Sequence, residues 1–88
     1  MFYIYILYSK KDHKLYTGFC DNLKRRVTKH NDGYVQSTKN RRPLQLIYAE
    51  IYLKKLDAKR REKYLKGGKG KAELKIQLKE LFNELKYD

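Results

Sequence analysis

Two polar side chains share a face with the apolar residues of the first predicted helix. Leu23, Arg26, Val27 and His30 follow the i, i+3, i+4, i+7 spacing of one helix face. Leu23 and Val27 must face the interior, because no other side chain of this helix is large and apolar. Arg26 and His30 therefore point at least partly to the same side, where a guanidinium can bind phosphate and an imidazole can transfer protons. A histidine near a helix C-terminus is equally explained by the helix dipole.

A single carboxylate lies on the inner face of a second, strongly basic predicted helix. Ala58, Arg61, Glu62 and Leu65 have the spacing of one face, and most other residues of this helix are lysine or arginine. A carboxylate on an inner face must be ion-paired, protonated or bound to a metal. Such a carboxylate more commonly forms an ion pair within the fold, for example with Arg26. The functional alternative is that Glu62 binds a metal.

Tyrosines form the third group of candidate residues. Tyr3, Tyr5, Tyr16 and Tyr48 lie in segments that are typical of strands. Such tyrosines are most often core aromatics with a solvated hydroxyl, and a phenol with a pKa near 10 is a poor base at neutral pH. They become chemically interesting only where positive charge stabilises the phenolate.

Six predicted elements must position these side chains. Residues 2–8 form a strand that is apolar on both faces, which predicts a central position in the sheet. Residues 15–18 and 44–52 form two further strands. A helix over 23–31 follows Asp21 or Asn22 as its N-cap and ends before Gly33. A second helix, over 58–66, is capped by Asp57 and broken by the glycines of 67–70, and a third spans 71–86.

The order β-β-α-β-α-α predicts an α/β (α+β) fold. We expect a small three-stranded, mainly antiparallel sheet packed by helices in two layers. The third helix presents an apolar stripe formed by Leu74, Leu78, Leu81, Phe82 and Leu85. Ile76 falls on the opposite face, where the pattern does not explain it.

Length and charge restrict the class of protein. The 88 residues predict one domain, 1–88, and the 22 Lys and Arg against 10 Asp and Glu give a net charge of +12. This excess favours a polyanion such as DNA, RNA or an acidic membrane surface. One cysteine excludes a disulfide framework and a Cys-rich zinc site. No apolar run approaches the ~20 residues of a membrane span, and no signal peptide is evident, so we expect a cytoplasmic protein.

The tyrosine-bearing segments resemble the two tripeptides that name the GIY-YIG nuclease family. Tyr3-Ile4-Tyr5 and Tyr16-Thr17-Gly18 are separated by ten residues, as is typical of the family. There are three departures from its pattern. Tyr3 replaces the first glycine, Thr17 replaces an isoleucine, and Phe19 stands where some members carry a lysine that contacts phosphate or metal-bound water.

Both helices add to this resemblance, which covers residues 2–70. The segment Asp21-Asn22-Leu23-Lys24-Arg25-Arg26-Val27 is similar to the family's arginine-bearing helix, and His30-Asn31 with Gly33 resembles its end. Ala58, Glu62, Leu65 and Lys66 are similar to the helix that carries the family's acidic metal ligand.

The resemblance implies a metal-dependent endonuclease that hydrolyses phosphodiester bonds of DNA and is either structure-selective or non-specific, with DNA repair as one setting. Glu62 would hold Mg²⁺ or Mn²⁺, and Arg26 would neutralise the non-bridging phosphate oxygens. Tyr16 is the first candidate for the general base and Tyr5 the second. His30 would either orient a tyrosine or accept the proton itself.

Further basic residues could bind backbone phosphates, which positions a nucleic acid without reading its bases. They are Lys39, Arg41 and Arg42 in one loop and Lys66 and Lys69 near the glycine-rich segment. DNA is the expected partner, with RNA as an alternative, and a partner protein could supply specificity. The rival function is a nucleic-acid-binding module of the same fold that has lost turnover. A polybasic membrane-surface protein is disfavoured, because no long exposed apolar face accompanies the charge.

Overall fold

Three antiparallel strands form the sheet in the computed structural model, which describes residues 1–87. Strand β1 (Phe2–Ser9) lies between β2 (Leu15–Cys20) and β3 (Leu44–Tyr52). Its residues from Ile4 to Ser9 are all buried, as expected for a strand covered on both faces. The central position of β1, the antiparallel sheet and the α+β class are therefore as the sequence predicts. Strand β2 continues two residues beyond the predicted end.

Four helices follow or separate the strands. They are α1 (Leu23–Asn31), α2 (Lys55–Lys66), α3 (Gly68–Gln77) and α4 (Lys79–Leu85). Helix α1 has the predicted bounds: the Asn22 side chain caps Arg25 N, and Gly33 follows with a φ of 84°. A short 3-10 helix, Lys39–Arg41, interrupts the loop before β3.

The second and third predicted helices differ from the structure at three points. Helix α2 begins at Lys55 rather than residue 58, with Asp57 in its first turn rather than at the N-cap. The single helix predicted over 71–86 is divided at Leu78 into α3 and α4. Helix α2 does end at Lys66, with Gly67 as its C-cap, as predicted, but α3 begins at Gly68 rather than at residue 71. A Cβ on Gly70 would lie 2.1 Å from the Tyr64 carbonyl oxygen, so Gly70 allows α3 to approach α2 closely.

Helices cover both faces of the sheet, which corrects the predicted two-layer arrangement. Tyr5 and Leu7 of β1 pack on the α1 side with Leu23 and Val27. The alternate residues of β1 pack on the α2, α3 and α4 side, Ile4 against Ala58 and Leu65 and Ile6 against Leu74 and Phe82. The predicted stripe of α3 and α4 does face the core, whereas Ile76 is exposed. No helix within residues 1–87 is long and apolar enough to span a bilayer.

Candidate active site

Strand register brings two of the candidate tyrosines onto the face covered by α1. Tyr5 pairs with Gly18 across the strands, and Leu7 pairs with Tyr16. Because side chains alternate along a strand, Tyr5, Tyr16 and Gly18 share this face. The Tyr5 ring lies directly over Gly18, where a Cβ would stand 2.3 Å from the phenol oxygen. The glycine of the second tripeptide therefore provides the space that the first tripeptide's tyrosine occupies.

Helix α1 places Arg26 and His30 against these tyrosines. The Arg26 Nε–H donates to the Tyr5 hydroxyl oxygen at 3.4 Å, and the Tyr5 hydroxyl lies 2.8 Å from His30 Nε2. On the other side of the imidazole, His30 Nδ1 lies 2.7 Å from Thr38 Oγ1, and this hydroxyl points to the Val35 carbonyl oxygen at 3.4 Å. These contacts form one chain of hydrogen bonds across the site.

Every hydrogen bond in this series has one donor and one acceptor when His30 is neutral. Burial, assisted by the positive charge of Arg26, lowers the pKa of His30 to about 4. We assign the proton to Nδ1, since Nδ1–H then donates to Thr38 and Nε2 accepts from Tyr5. Burial also raises the pKa of Tyr5 to about 12, although the hydrogen bond from Arg26 opposes this effect. Tyr5 is thus held as a phenol that donates to a neutral imidazole.

Tyr16 differs from Tyr5 in its surroundings. Its ring stands edge-on to His30 with 5.1 Å between ring centroids and lies 6.3 Å from the Tyr5 ring. Tyr16 is half-buried, whereas Tyr5 is 1% exposed. Among residues 1–87, no side chain or backbone group hydrogen-bonds the Tyr16 hydroxyl, which leaves it accessible to a water or phosphate.

Glu62 lies in the opposite layer, beside the same edge strand. Its side chain is 16% exposed and is paired with Lys66 Nζ at 3.1 Å and Lys59 Nζ at 3.7 Å. The Lys59 ammonium in turn sits 4.1 Å above the centre of the Phe19 ring on β2. The inward carboxylate is therefore ion-paired, but with these lysines rather than with Arg26. No contact within residues 1–87 joins Glu62 to Tyr5, Tyr16, Arg26 or His30.

Glu62 provides an incomplete ligand set of the kind that suits magnesium. Within residues 1–87, no group of three or more Asp, Glu, His or Cys side chains could hold a metal by itself. Mg²⁺ commonly retains several waters and binds through one or two carboxylates together with substrate phosphates. Lys59 and Lys66 are about half exposed, so both can turn toward solvent or phosphate and free the carboxylate. The donor set thus fits a divalent ion that is shared with a nucleic acid.

The predicted phosphate-binding residues separate into two groups in the structure. In the loop beyond α1, Lys39 and Arg42 are exposed, whereas the Arg41 guanidinium is bound to Asp12 Oδ2 at 2.6 Å and to the Leu15 carbonyl oxygen. Lys66 and Lys69 are exposed on the side of α2 and α3. Arg41 is therefore already engaged within the fold.

Sequence reasoning missed two parts of the polar structure. Thr38 is the hydrogen-bond partner of His30 Nδ1. In the sequence it is one threonine in a polar loop, and nothing there marks it as part of the site. The second part centres on Glu50, which accepts two-pronged hydrogen bonds from Arg61 and single ones from Tyr48 and Tyr52. Arg61 also binds Glu73. This network joins α2 to β3 and α3 and fixes the rotation of α2, so that Glu62 faces β2.

Comparison with known proteins settles the family. The family model described as the GIY-YIG catalytic domain matches residues 1–76. The chain belongs to the GIY-YIG family. It is 41% identical over 75 residues to a UPF0213 protein of Staphylococcus saprophyticus, an alignment that covers 84% of this chain and 90% of the relative. It is 40% identical over 79 residues to the UPF0213 protein YazA of Bacillus subtilis, covering 88% and 80% of the two chains.

A solved structure supports the same assignment. The solution NMR structure of a UPF0213 protein from Bacillus halodurans matches with a TM-score of 0.55 and 34% identity, over 90% of this chain and 86% of that one. GIY-YIG domains are typically endonucleases that act on nucleic acids and generally use divalent metal ions. Membership of the family therefore indicates nuclease activity.

Proposed function

We propose that this protein is a metal-dependent endonuclease that hydrolyses phosphodiester bonds of DNA. The observation that carries the proposal is the hydrogen-bonded chain from Arg26 through Tyr5 and His30 to Thr38, with the unengaged Tyr16 hydroxyl beside it. A purely structural cluster would satisfy its polar atoms internally, whereas within residues 1–87 the Tyr16 hydroxyl and the two terminal nitrogens of Arg26 have no hydrogen-bond partner.

Arg26 stabilises charge on the phosphate. Only its Nε is used by Tyr5, so the two terminal nitrogens remain available for the non-bridging oxygens of a scissile group. A planar guanidinium can bind two such oxygens and stays charged at any relevant pH. Because charge builds up on these oxygens during attack, the interaction strengthens in the transition state.

Tyr16 receives the proton of the attacking water in this mechanism. Its hydroxyl oxygen is accessible, and in the deprotonated form it can accept a proton from a water that lies beside it. Tyr5 and His30 act as positioning residues, because the burial that holds His30 neutral and Tyr5 protonated makes both unsuitable as a base at the accessible surface. They fix the Arg26 side chain and support the Tyr16 ring.

Glu62 would hold the divalent ion from the other side of the edge strand. The chemistry supplied by a bound Mg²⁺ or Mn²⁺ is stabilisation of the leaving 3′ oxygen. Lys59 and Lys66, released from Glu62, pair with the phosphates that enter the site. The scissile group is thus placed at β2, between the residues on α1 and the carboxylate on α2.

DNA binding outside this site is electrostatic. The net charge of +12 and the exposed Lys39 and Arg42 provide contacts to backbone phosphates that carry no sequence information. We therefore propose a structure-selective or non-specific enzyme, for which a partner protein could supply sequence specificity.

The decisive experiment is cleavage of supercoiled plasmid and of branched oligonucleotides with Mg²⁺, with Mn²⁺ and with EDTA. We expect nicking and linearisation with either metal and none with EDTA. Arg26→Ala should lower turnover by about 10²–10³ while affinity changes little. Arg25→Ala is the matched control, since Arg25 lies on the same helix but its side chain is 65% exposed and, within residues 1–87, forms an ion pair only with Asp21.

Glu62→Gln tests the metal site separately. This variant should fold normally, bind DNA and lose cleavage with both metals, whereas Glu80→Gln on the exposed face of α4 should cut like wild type. Equal activity of Glu62→Gln and wild type would remove Glu62 from the mechanism. A wild-type protein that binds DNA but never cuts it would leave the binding module as the function.

A further inference from the structure

A groove of about 530 Å³ runs beneath β2 on the side of α2 and α3. Its apolar floor is closed by the buried side chains of Leu65, Leu74 and Phe82, and the half-buried Leu15 and Tyr87 line its sides. Its volume is in the range of small-ligand sites. The first tripeptide, α1 and the basic loop contribute nothing to it, so it lies outside the residues assigned to catalysis, apart from Tyr16 and Lys66 at its margin.

The rim of this groove carries positive charge only. Lys14, Lys66, Lys71 and Lys75 line it and are exposed, and no acidic side chain within residues 1–87 is part of the lining. Lys66 pairs with Glu62, while the Lys75 ammonium lies 5.9 Å from the centre of the Tyr87 ring. Four ammonium groups around an apolar floor fit a ligand that combines several negative charges with flat apolar groups.

We propose that this groove binds an unpaired segment of nucleic acid next to the cleavage site. The lysines would neutralise successive phosphates, and the bases would lie against Tyr87 and Leu15, the half-buried apolar side chains of the lining. A duplex cannot use such a floor, because its base faces are already stacked inside the helix. Binding in the groove does not depend on the proposed function, but cleavage of the bound strand does. If both hold, the substrate is single-stranded or partly unpaired nucleic acid.

The position of the groove supports this substrate class. Lys66, the partner of the proposed metal ligand Glu62, lines the groove. Tyr16 borders it from the edge strand β2, while the Tyr16 ring packs against His30 on the opposite face of the sheet. A strand lying in the groove would therefore pass along the β2 edge and reach the scissile position from there. The groove and the residues on the α1 face thus lie on either side of the same sheet edge, β2.

Binding in EDTA tests the proposal without cleavage. The probes are a fluorescein-labelled single-stranded oligodeoxynucleotide, its blunt duplex and an abasic strand of the same length. Fluorescence anisotropy measures their binding affinity at several salt concentrations. Lys71→Ala/Lys75→Ala removes two rim charges. Lys63→Ala/Lys79→Ala is the control, because it makes the same charge change at exposed positions outside the groove. The rim pair should weaken single-strand binding several-fold and reduce the salt slope by about 1.4, with a much smaller effect from the control.

Tyr87 tests the contact with bases. Tyr87→Leu keeps apolar bulk, so the fold should persist, but it should weaken binding of the normal strand at least about fivefold. It should leave binding of the abasic strand unchanged. Tyr87→Phe retains the ring and should bind like wild type.

Three results would contradict single-strand binding in the groove. The first is an equal loss of affinity in the rim variant and the control variant. The second is a rim variant that loses as much affinity for the duplex as for the single strand. The third is abasic DNA or poly-glutamate binding as tightly as the normal strand, which would indicate an acidic partner instead. The failure of the enzyme proposal looks different: the wild-type protein would bind single strands through the groove yet fail to cut with Mg²⁺ or Mn²⁺.

Discussion

The buried histidine of the site should make the protein less stable in mild acid. His30 is 0% exposed, and its pKa is lowered from 6.5 to about 4 by burial and by Arg26. Once unfolded, the imidazole regains its ordinary pKa. Between pH 6.5 and pH 4 the unfolded chain therefore binds a proton that the folded protein does not, and stability falls as the pH falls.

The magnitude follows from these two pKa values. The difference of about 2.5 pH units corresponds to about 3 kcal/mol in full, of which about 2 kcal/mol is lost between pH 7 and pH 5. A domain of this length has a free energy of unfolding of about 4–13 kcal/mol, so the loss is large. Asp12, whose pKa is held at about 2 by a hydrogen bond from Arg41, contributes stability that is lost only below about pH 4. The interval from pH 7 to pH 5 therefore reports on the histidine.

Urea unfolding followed by circular dichroism at pH 7, 6 and 5 measures this loss. His30→Gln removes the titrating group and should flatten the dependence of the unfolding free energy on pH, whatever its absolute stability. His13→Asn replaces the other histidine, which has a φ of 62° that asparagine tolerates, and should keep the wild-type slope. A wild-type loss below about 0.5 kcal/mol, or the same slope in His30→Gln, would refute the assignment of a buried neutral imidazole.

Three substitutions test other contacts of the site. Gly18→Ala should lower the free energy of unfolding by about 1–3 kcal/mol, because its Cβ would overlap the buried Tyr5 ring; thermal unfolding measures it, and an unchanged Tm would contradict the close approach. Arg41→Ala should destabilise the fold by about 1 kcal/mol through loss of its bonds to Asp12, as urea unfolding would show. Arg42→Ala should lower the free energy of unfolding by no more than about 1 kcal/mol, because it removes one exposed hydrogen bond to the Lys39 carbonyl oxygen. It should flatten the salt dependence of duplex binding by about 1; an unchanged salt slope would mean that Arg42 contacts no phosphate.

The parts of the fold that depend on local apolar pattern could be predicted from the sequence. Both faces of residues 2–8 are apolar, and the structure makes this segment the central strand. The same observation already required helices on both sides, which the two-layer prediction overlooked. The helix boundaries near Lys55 and Gly68 depend on tertiary packing, which no local pattern encodes. Near Gly68, for example, Gly70 allows α3 to contact α2 closely.

The site could be predicted in its residue types and only partly in its contacts. Helical spacing alone placed Arg26 and His30 on the inner side, and the structure joins both to Tyr5. Thr38 could not be identified, because the loop that brings it to His30 has no periodic pattern. A fully buried imidazole nevertheless needs a hydrogen-bond partner at each of its two nitrogens.

The departure at Phe19 shows how contacts across layers can replace a side chain that the sequence lacks. A lysine at this position would extend from β2 toward the helix that carries the acidic ligand. In this chain the Phe19 ring takes its place, and Lys59 reaches over that ring from α2, with its ammonium 4.1 Å from the ring centre and 3.7 Å from Glu62. An aromatic face attracts an ammonium by cation–π interaction. Positive charge therefore stands beside Glu62 despite the substitution, supplied by the helix instead of the strand.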